Sequence, residues 1–298
     1  MTQTVGFVGI GNMGWPMAAR VHGAGYTLLL ADHRRIVAEN FAQQIGGTAP
    51  DTPEQLAAGS DIIVTMLPTS AAVGMALDGL LAGMKPGTVV VDMTSGAPGE
   101  TRALAARVAA AGGTMIDAPV SGGVKRANTG ELAIMVGGDE ATVARVTPLL
   151  QSMGTSILRT GDVGSAHAMK ALNNLVSAGG FLIGIEALLI GQRFGLDPAL
   201  MVDVLNASTG MNNSTQKKFK QFVLSREFNS GFGLDLMLKD VTIALGIARD
   251  TATPAPVSAL VRELSAACAA MLGAGADHTE LAKLSERLAA TELAQGGP

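Results

Sequence analysis

Residues 5–20 read Val-Gly-Phe-Val-Gly-Ile-Gly-Asn-Met-Gly-Trp-Pro-Met-Ala-Ala-Arg, and this stretch decides the fold of the N-terminal half. Its apolar beginning predicts a buried strand, and the pattern after Gly14 predicts a helix. Gly9, Gly11 and Gly14 lie between the two in the G-x-G-x-x-G spacing. Because these glycines follow a predicted strand and open a predicted helix, they indicate a dinucleotide-binding turn and not a chance alignment in a glycine-rich chain.

Each glycine of this loop has its own expected purpose. The first permits a tight turn, the second lets the backbone approach a pyrophosphate, and the third lets helix and strand pack closely. The phosphates are expected at the N-terminus of the helix, where unpaired N–H groups and the helix dipole favour negative charge. The predicted cofactor-binding residues of the loop are Gly9, Ile10, Gly11, Asn12, Met13 and Gly14.

The end of the second predicted strand indicates which dinucleotide is bound. Asp32 ends that strand, where a carboxylate would accept hydrogen bonds from an adenosine ribose, and this favours NAD. His33, Arg34 and Arg35 follow at once, and an arginine there could instead hold the 2′-phosphate of NADP. The sequence therefore predicts NAD or NADP as cofactor, with a preference for NAD.

The remaining pattern divides the chain into an α/β half and a helical half. Strands that alternate with helices predict βαβ units and a doubly wound, mainly parallel sheet, which is a Rossmann domain. The predicted strands are 4–10, 26–31, 61–67, 88–93, 114–118, 132–137 and 156–160, and the helices predicted after them are 163–194, 198–207, 214–224, 233–250, 255–272 and 278–292. We expect residues 1–161 to form the NAD(P)-binding domain, and 162–298 an all-helical substrate and dimerisation domain that starts with a long interdomain helix.

Composition excludes several classes of protein. Hydrophobic residues make up 48% of the chain and charged residues 15%, which is typical of a globular protein with buried cores. A net charge of −4 predicts no nucleic-acid partner. A single cysteine, Cys268, and the absence of an export signal predict a cytoplasmic protein. Asn173, Asn174 and Glu186 interrupt the apolar run 171–190, so we expect a buried helix there and no membrane partner.

The residue inventory also excludes two ways of handling a proton beside a nicotinamide. The four histidines (His22, His33, His167 and His278) are isolated, so we expect no catalytic metal, and His167 is expected at the helix surface or in packing. A Tyr-x-x-x-Lys relay is impossible because the only tyrosine, Tyr26, is not followed by lysine at that spacing. Another group must therefore move the proton.

Lys170 is the candidate for that group. On a helix Lys170 and Asn174 are i and i+4, so they share one face. An ammonium and an amide placed together on an apolar helix could hold a carbonyl oxygen and an alkoxide-like transition state. In the reducing direction the ammonium donates the proton, and in the oxidising direction the amine accepts it. Spacing alone leaves open that Lys170 is only a surface cation.

A second cluster follows the predicted strand at 114–118. Ser121, Gly122 and Gly123 lie at the edge of the sheet where ligands bind in this architecture. The hydroxyl and the two glycine amides could bind a carboxylate without a charged group, although Ser-Gly-Gly is also a common flexible loop. A small carboxylate-bearing substrate is therefore expected.

With these segments in order, the chain resembles the β-hydroxyacid dehydrogenase family, which includes 3-hydroxyisobutyrate dehydrogenase and tartronate semialdehyde reductase. The resemblance covers nearly the whole chain. Residues 7–18 are similar to the family's cofactor signature, 117–123 to its substrate loop, 161–174 to its catalytic-lysine segment, and Lys239-Asp240 to a late lysine–aspartate pair.

The resemblance implies a role for each matching residue. Lys170 would be the essential acid/base and Asn174 its companion at the substrate, while Ser121, Gly122 and Gly123 would bind the carboxylate. Leu67, Pro68 and Thr94 would line the cofactor, and Lys239 would approach the nicotinamide. Departures are Lys125 and Arg126 after the glycines, expected to be solvated, and the polar loop 209–214, which falls where substrate specificity varies.

The expected reaction is reversible hydride transfer between NAD(P) and a short β-hydroxy acid, like 3-hydroxyisobutyrate, or its semialdehyde. A tartronate semialdehyde reductase-like activity is one alternative. An imine reductase on the same scaffold is a second, although that group usually lacks this lysine, and a non-catalytic NAD-binding sensor is a third. Long apolar helices in the second half also predict a homodimer or homotetramer.

Overall fold

The computed structural model describes residues 3–293. The chain divides into two compact units, with the division between Lys170 and Ala171. The predicted boundary at 161 and 162 instead follows the change of secondary structure, since the last strand ends at Gly161 and the next helix begins at Ser165. As a domain boundary it stays a prediction.

The first unit is built on a sheet whose strands lie close to the predicted positions. They are β1 (Thr4–Val8), β2 (Thr27–Ala31), β3 (Ile62–Thr65), β4 (Val89–Asp92), β5 (Thr114–Asp117), β6 (Val120–Ser121), β7 (Leu132–Gly137) and β8 (Gly154–Gly161). β3 and β4 are buried at every position, as expected for strands covered on both faces. β1, β3 and β4 end one or two residues earlier than predicted, and the residues after them belong to the loops that follow.

The strand order is β2-β1-β3-β4-β5-β7-β6, with β8 paired to β7. β1 to β5 are parallel to one another, whereas β7 runs antiparallel to β5 and β6. The order reverses between β1 and β3, and in such a sheet the crevice at the carboxyl ends beside that point is where ligands bind. The predicted doubly wound, mainly parallel Rossmann fold is confirmed.

Helices cover both faces of this sheet. They are α1 (Gly14–Gly23), α2 (Arg35–Gln44), α3 (Pro53–Gly59), α4 (Ser70–Leu80), α5 (Pro98–Ala110), α6 (Gly123–Thr129) and α7 (Glu140–Gln151). Local sequence explains several starts, because α3 and α5 have proline in the first turn and Asp139 caps α7 through the N–H of Thr142. The buried core includes Phe7, Met17 and Phe41.

The second unit is helical, as predicted. Its helices are α8 (Ser165–Phe194, which begins in the first unit), α9 (Pro198–Asn206), α10 (Asn213–Lys217), α11 (Leu234–Asp250), α12 (Pro256–Leu272) and α13 (Leu281–Ala289). Asp197 caps α9 ahead of Pro198, which is the predicted N-cap and first-turn proline. Phe181, Phe219 and Val241 lie in the core of this unit.

One predicted helix is built differently from the expectation. The segment expected at 214–224 consists of α10 followed by a π-helix, Phe219–Leu224. Phe219, Val223 and Leu224 are buried in this π-helix, and the sequence pattern, which has α-helical spacing at Phe219 and Val223, does not reveal the wider turn. Asn212, within the polar loop 209–214, where substrate specificity is expected to vary, caps α10 by accepting hydrogen bonds from the N–H groups of Ser214 and Thr215.

α8 is long and apolar enough to cross a membrane by length and composition, with a mean hydropathy of 1.7, but half of its most apolar window is buried inside the protein. Val176, Ile183 and Ile190 are exposed on α8 at seven-residue spacing. Such a stripe is typical of a helix that packs on another helix. The predicted homodimer or homotetramer stays a prediction that a mass measurement in solution tests.

His278 is a buried histidine whose environment opposes its charge. Its ring packs against Phe232, and Nδ1 lies 3.2 Å from the carbonyl oxygen of Phe232, which requires a donor at that nitrogen. Burial, followed by the positive charge of Lys218, lowers the pKa of His278 from 6.5 to about 4, against the opposing effect of Asp277. The imidazole is therefore neutral in the folded protein at neutral pH.

This histidine is expected to make the protein lose stability in mild acid. Between pH 6.5 and about 4 the unfolded chain binds a proton that folded His278 does not, so the free energy of unfolding falls as the pH drops through that range, by up to about 3 kcal/mol. Urea unfolding of the wild type and His278→Gln at several pH values measures it. The variant should show a flatter pH dependence, while His33→Gln, at an exposed histidine, should follow the wild type. Parallel curves for His278→Gln and wild type would contradict the assignment.

Candidate active site

The register of the parallel strands aligns their last residues in one row. Val8 pairs with Ala31 and Thr65, Thr65 pairs with Asp92, and Asp92 pairs with Asp117. The segments that follow these residues therefore emerge at the same edge of the sheet. They carry the glycine loop, Asp32, Leu67, Pro68, Thr94 and Ser121, so the first unit brings these predicted site residues to one edge.

The three loop glycines meet different surroundings. Gly9 has a φ of +99°, and a Cβ on it would overlap the carbonyl oxygen of Met66 in the loop after β3. A Cβ on Gly14 would overlap the carbonyl oxygen of Gly9. Gly11 has nothing within 4 Å of its Cβ position and no positive φ, so the fold itself does not require a glycine there. Open space above Gly11 is what a ligand approaching the backbone needs.

The start of α1 fits a phosphate group. Its first turn contains no acidic residue, and the side chain of Met13 at the N-cap makes no capping hydrogen bond. A side-chain carboxylate or hydroxyl at this point would compete with a phosphate for the N–H groups of the first turn. The loop and the helix end therefore match the predicted pyrophosphate site.

Asp32 is held in place by backbone groups. Its Oδ2 accepts a hydrogen bond of 2.9 Å from the N–H of Ile10, and its Oδ1 accepts one of 2.9 Å from the N–H of Arg34. The carboxylate is thereby fixed beside the glycine loop. Arg35 forms ion pairs with Glu39 and Asp51, so its guanidinium is already engaged by two carboxylates.

Asp92, which the sequence did not single out, organises the loops after β3 and β4. Its Oδ1 accepts hydrogen bonds from the hydroxyl of Thr65 at 2.8 Å and from the N–H of Thr94 at 3.1 Å. The hydroxyl of Thr94 in turn accepts from the N–H of Leu67 at 3.1 Å. Leu67 and Thr94, predicted to line the cofactor, are thus bonded directly to each other, and the buried carboxylate of Asp92 holds the backbone of Thr94. Pro68 follows Leu67 in the same loop.

The predicted substrate loop is more ordered than a flexible Ser-Gly-Gly segment. Ser121 lies in β6, a short strand that the sequence did not predict, where it pairs with Ala133 of β7. Gly122 and Gly123 both have positive φ, 134° and 67°, which other residues adopt at a cost. The pairing with β7 fixes Ser121 at the end of the sheet and leaves both glycines exposed. Lys125 is also exposed, in line with its expected solvation.

Lys170 and Asn174 occupy one face of α8, and both are buried. This excludes the alternative that Lys170 is a surface cation. Half-buried Asn173 donates a 3.2 Å hydrogen bond to Oδ1 of Asn174. A buried lysine and a buried amide one turn apart are the arrangement expected for holding an oxygen that gains or loses a proton.

In the second unit Asp240 joins two predicted site residues. Its Oδ2 accepts a 2.6 Å hydrogen bond from Nδ2 of Asn174, and its Oδ1 lies 3.1 Å from Nζ of Lys239. Because a carboxylate only accepts, the amide of Asn174 must turn its NH₂ group toward Asp240. Asp240 is buried, and its position next to Lys239 in the late lysine–aspartate pair was the signal available in the sequence.

Residues 3–293 contain no group of three or more His, Cys, Asp and Glu side chains placed to hold a metal ion. Burial raises the pKa of the Cys268 thiol to about 11, followed by the charge of Glu280, so this thiol stays protonated at neutral pH.

Comparison with known proteins finds relatives along nearly the whole chain. Residues 4–161 match a family model described as the NAD binding domain of 6-phosphogluconate dehydrogenase, and residues 164–285 match one described as NAD-binding of NADP-dependent 3-hydroxyisobutyrate dehydrogenase. A 2-(hydroxymethyl)glutarate dehydrogenase of Eubacterium barkeri is 34% identical over 98% of each chain. The chain belongs to the β-hydroxyacid dehydrogenase family.

Two further family members extend the comparison. The 2-hydroxy-3-oxopropionate reductase of Escherichia coli K12 is 34% identical, over 97% of this chain and 99% of that protein. The structure of a Mycobacterium tuberculosis 3-hydroxyisobutyrate dehydrogenase with L-serine has a TM-score of 0.89 and 31% identity, covering 95% of this chain and 99% of that one. These comparisons confirm the family, an oxidoreductase, and NAD or NADP as cofactor.

Imine reductases share the fold of this family. A Streptomyces aurantiacus imine reductase superposes with a TM-score of 0.62 over 94% of this chain and 98% of its own, at 23% identity. At that identity the likeness concerns the fold alone. The relatives named above act on hydroxy acids or the corresponding oxo compounds, so the family is one of hydroxyacid dehydrogenases and reductases, in which the individual substrate differs from member to member.

Proposed function

We propose that this protein interconverts a short β-hydroxy acid and its semialdehyde by hydride transfer, with Lys170 as the acid/base. The observation that carries the proposal is the burial of Lys170 and Asn174 on one face of α8. An amine removed from solvent is suited to exchange a proton with one bound oxygen, because few water molecules compete for it.

Lys170 and Asn174 have separate roles in the proposed reaction. When bound, the dinucleotide supplies or accepts the hydride. Lys170 Nζ donates a proton to the carbonyl oxygen during reduction and accepts the hydroxyl proton during oxidation. Asn174, whose amide is turned by Asp240, donates to the same oxygen and stabilises charge that develops on it.

Recognition of the acid group is assigned to the last residue of β6 and the two glycines that follow it. The hydroxyl of Ser121 and the backbone N–H groups of Gly122 and Gly123 are donors suited to a carboxylate. The positive φ angles at both glycines turn the backbone sharply at this point. Neutral donors here hold an anionic substrate without a lysine or arginine, so a small carboxylate-bearing substrate fits this site.

NAD is the proposed cofactor in preference to NADP. The carboxylate of Asp32 is fixed next to the glycine loop by Ile10 and Arg34 N–H groups, where it accepts from ribose hydroxyls and repels a 2′-phosphate. Arg35 is engaged by Glu39 and Asp51. Arg34 is the remaining basic side chain in the segment that directly follows Asp32, and the carboxylate opposes its use for a phosphate.

A substrate panel tests the proposal. 3-Hydroxyisobutyrate, 2-(hydroxymethyl)glutarate and 2-hydroxy-3-oxopropionate are supplied to the purified protein with NAD(H) or NADP(H), and turnover is followed by the near-ultraviolet absorbance of the reduced cofactor. We expect turnover of at least one compound and a higher kcat/KM with NAD. Reduction of a cyclic imine without activity on any acid would support an imine reductase, and cofactor binding without any turnover would support a sensor; either result contradicts the proposal.

A further inference from the structure

A buried polar network lies under the first turn of α8, outside the residues given a direct role in the reaction. Its members are Asp92, Asp117 and His167, which all have at most 1% of their surface exposed, together with the hydroxyl of Thr101. All four belong to the first unit, at or near the ends of β4 and β5 and the starts of α5 and α8. Lys170 follows His167 on α8 by one turn.

Asp117 caps the N-terminus of α8. Its Oδ1 accepts a 2.6 Å hydrogen bond from the N–H of Gly164, and its Oδ2 accepts a 2.8 Å hydrogen bond from the N–H of His167. A carboxylate at this position satisfies N–H groups that have no partner within the helix and interacts favourably with the helix dipole. Burial raises the pKa of Asp117, against the lowering effects of His167 and of these N–H groups. The end of β5 is thereby bound directly to the helix that carries Lys170.

The ring of His167 has a defined orientation. Nδ1 lies 2.6 Å from the hydroxyl of Thr101, and Nε2 lies 3.9 Å from Oδ2 of Asp92. At 3.9 Å this pair is an electrostatic contact and not a hydrogen bond, and within residues 3–293 neither Nε2 nor this Oδ2 has a hydrogen-bond partner. The hydroxyl of Thr101 donates to the carbonyl oxygen of Ala97 at 2.9 Å, so it accepts from Nδ1, which carries a proton. Asp92 is thus directed toward Thr94 through one oxygen and toward His167 through the other.

Two glycines leave room for this network. A Cβ on Gly96 would come within 3.0 Å of Nδ1 of His167, and a Cβ on Gly137 would come within 2.5 Å of Oδ1 of Asp117. Neither Gly96 nor Gly137 has a positive φ, so backbone conformation does not require a glycine at either position. The absence of a side chain at Gly96 and Gly137 is therefore explained by the space that the imidazole and the carboxylate occupy.

We propose that His167 is a positioning residue, which with Asp117 and Asp92 fixes the first turn of α8, and hence Lys170, relative to the cofactor loops at Leu67 and Thr94. The chain of contacts runs from the Leu67 and Thr94 loops through Asp92 to His167, and from β5 through Asp117 to the same turn. This proposal rests on the acid/base role of Lys170. It adds that the lysine's position is set by groups that touch neither substrate nor cofactor.

Substitutions at His167 separate positioning from general stability. His167→Leu removes both ring nitrogens, whereas His167→Gln retains an N–H donor in a side chain of similar length. Ser60→Ala is the control, because it removes a buried polar group of the same unit that lies outside this network. The hydroxyl of Ser60 donates to the carbonyl oxygen of Leu56. The measurements are kcat, KM, the dissociation constant of NADH and the Tm.

We expect His167→Leu to lower kcat by roughly tenfold or more while KM and the NADH dissociation constant change by less than about threefold. His167→Gln should recover most of kcat, and Ser60→Ala should keep it. In a Lys170→Ala background His167→Leu should cause little further loss, since it acts through the lysine. An unchanged kcat in His167→Leu, or an equal loss with and without Lys170, would overturn the positioning role.

A second measurement does not depend on turnover. Hydrogen exchange of the peptide around residues 162–172 should be faster in His167→Leu and Asp117→Asn than in the wild type or Ser60→Ala. If the wild type turns over no hydroxy acid, the proposed function fails, and exchange still tests whether the network fixes the helix start. Unchanged exchange in both network variants would overturn the inference whatever the activity.

Discussion

Lys170→Ala is expected to lower kcat by roughly 10²- to 10⁴-fold, the range for losing one general acid/base. The dissociation constant of NADH should stay within about threefold of the wild type, because the glycine loop and Asp32 are unchanged. Steady-state kinetics in both directions and NADH fluorescence measure the two quantities. The loss should be seen in kcat and kcat/KM together, since the proton is transferred in the transition state.

Two further variants make this test specific. Lys170→Arg keeps the positive charge but gives up no proton at accessible pH, so we expect it to be as inactive as alanine in the oxidising direction. Lys85→Ala removes a half-exposed lysine that pairs with Asp61 on the first unit and should retain full activity. Turnover of Lys170→Ala within about tenfold of the wild type would contradict the acid/base assignment.

The glycines of the cofactor loop should respond in opposite ways to alanine. In Gly11→Ala the new methyl group meets nothing within 4 Å, so the Tm should be unchanged. The same methyl group occupies the space through which a pyrophosphate approaches the backbone. We therefore expect NADH binding to weaken by roughly 10- to 100-fold, as when hydrogen bonds to a charged group are lost.

Gly14→Ala should instead destabilise the fold. Its methyl group would overlap the carbonyl oxygen of Gly9, and backbone atoms cannot move aside as a flexible side chain can. We expect a loss of about 3 kcal/mol or more in the free energy of unfolding, the upper range for overpacking a close contact. Thermal unfolding and NADH titration of both variants check the contrast. A stable Gly14→Ala, or a Gly11→Ala that binds NADH normally, would show that the loop does not follow this geometry.

Much of the fold could be predicted because it depends on local pattern. Strands β3 and β4 are short apolar runs between helical segments, and α9 begins at an Asp-Pro pair. Alternation of such elements allows few arrangements other than a doubly wound sheet. β6 was missed because two residues carry no periodicity, and its strand character comes only from pairing with β7. The π turn at Phe219–Leu224 was missed because it follows from packing.

The candidate site divides in the same way. Lys170 and Asn174 could be proposed from their i, i+4 spacing, and Asp32 from its place after a strand. His167 was expected at the helix surface or in packing, and it is buried. Nothing in the sequence relates it to Asp92, because the two are far apart in the chain and come together only where β4 pairs with β5, whose Asp117 binds the N–H of His167.

The sequence by itself determined the glycine loop, the order of strands and helices, the family and the lysine proposed to move the proton. Each of these depends on residue type and short spacing, which a linear pattern records. Only the tertiary structure decided that Lys170 is buried, that Asp240 orients Asn174, and that Asp117 caps α8 above His167. These depend on which residues a folded sheet and bundle bring within hydrogen-bond distance, and long-range contacts of that kind leave no periodic signal in the chain.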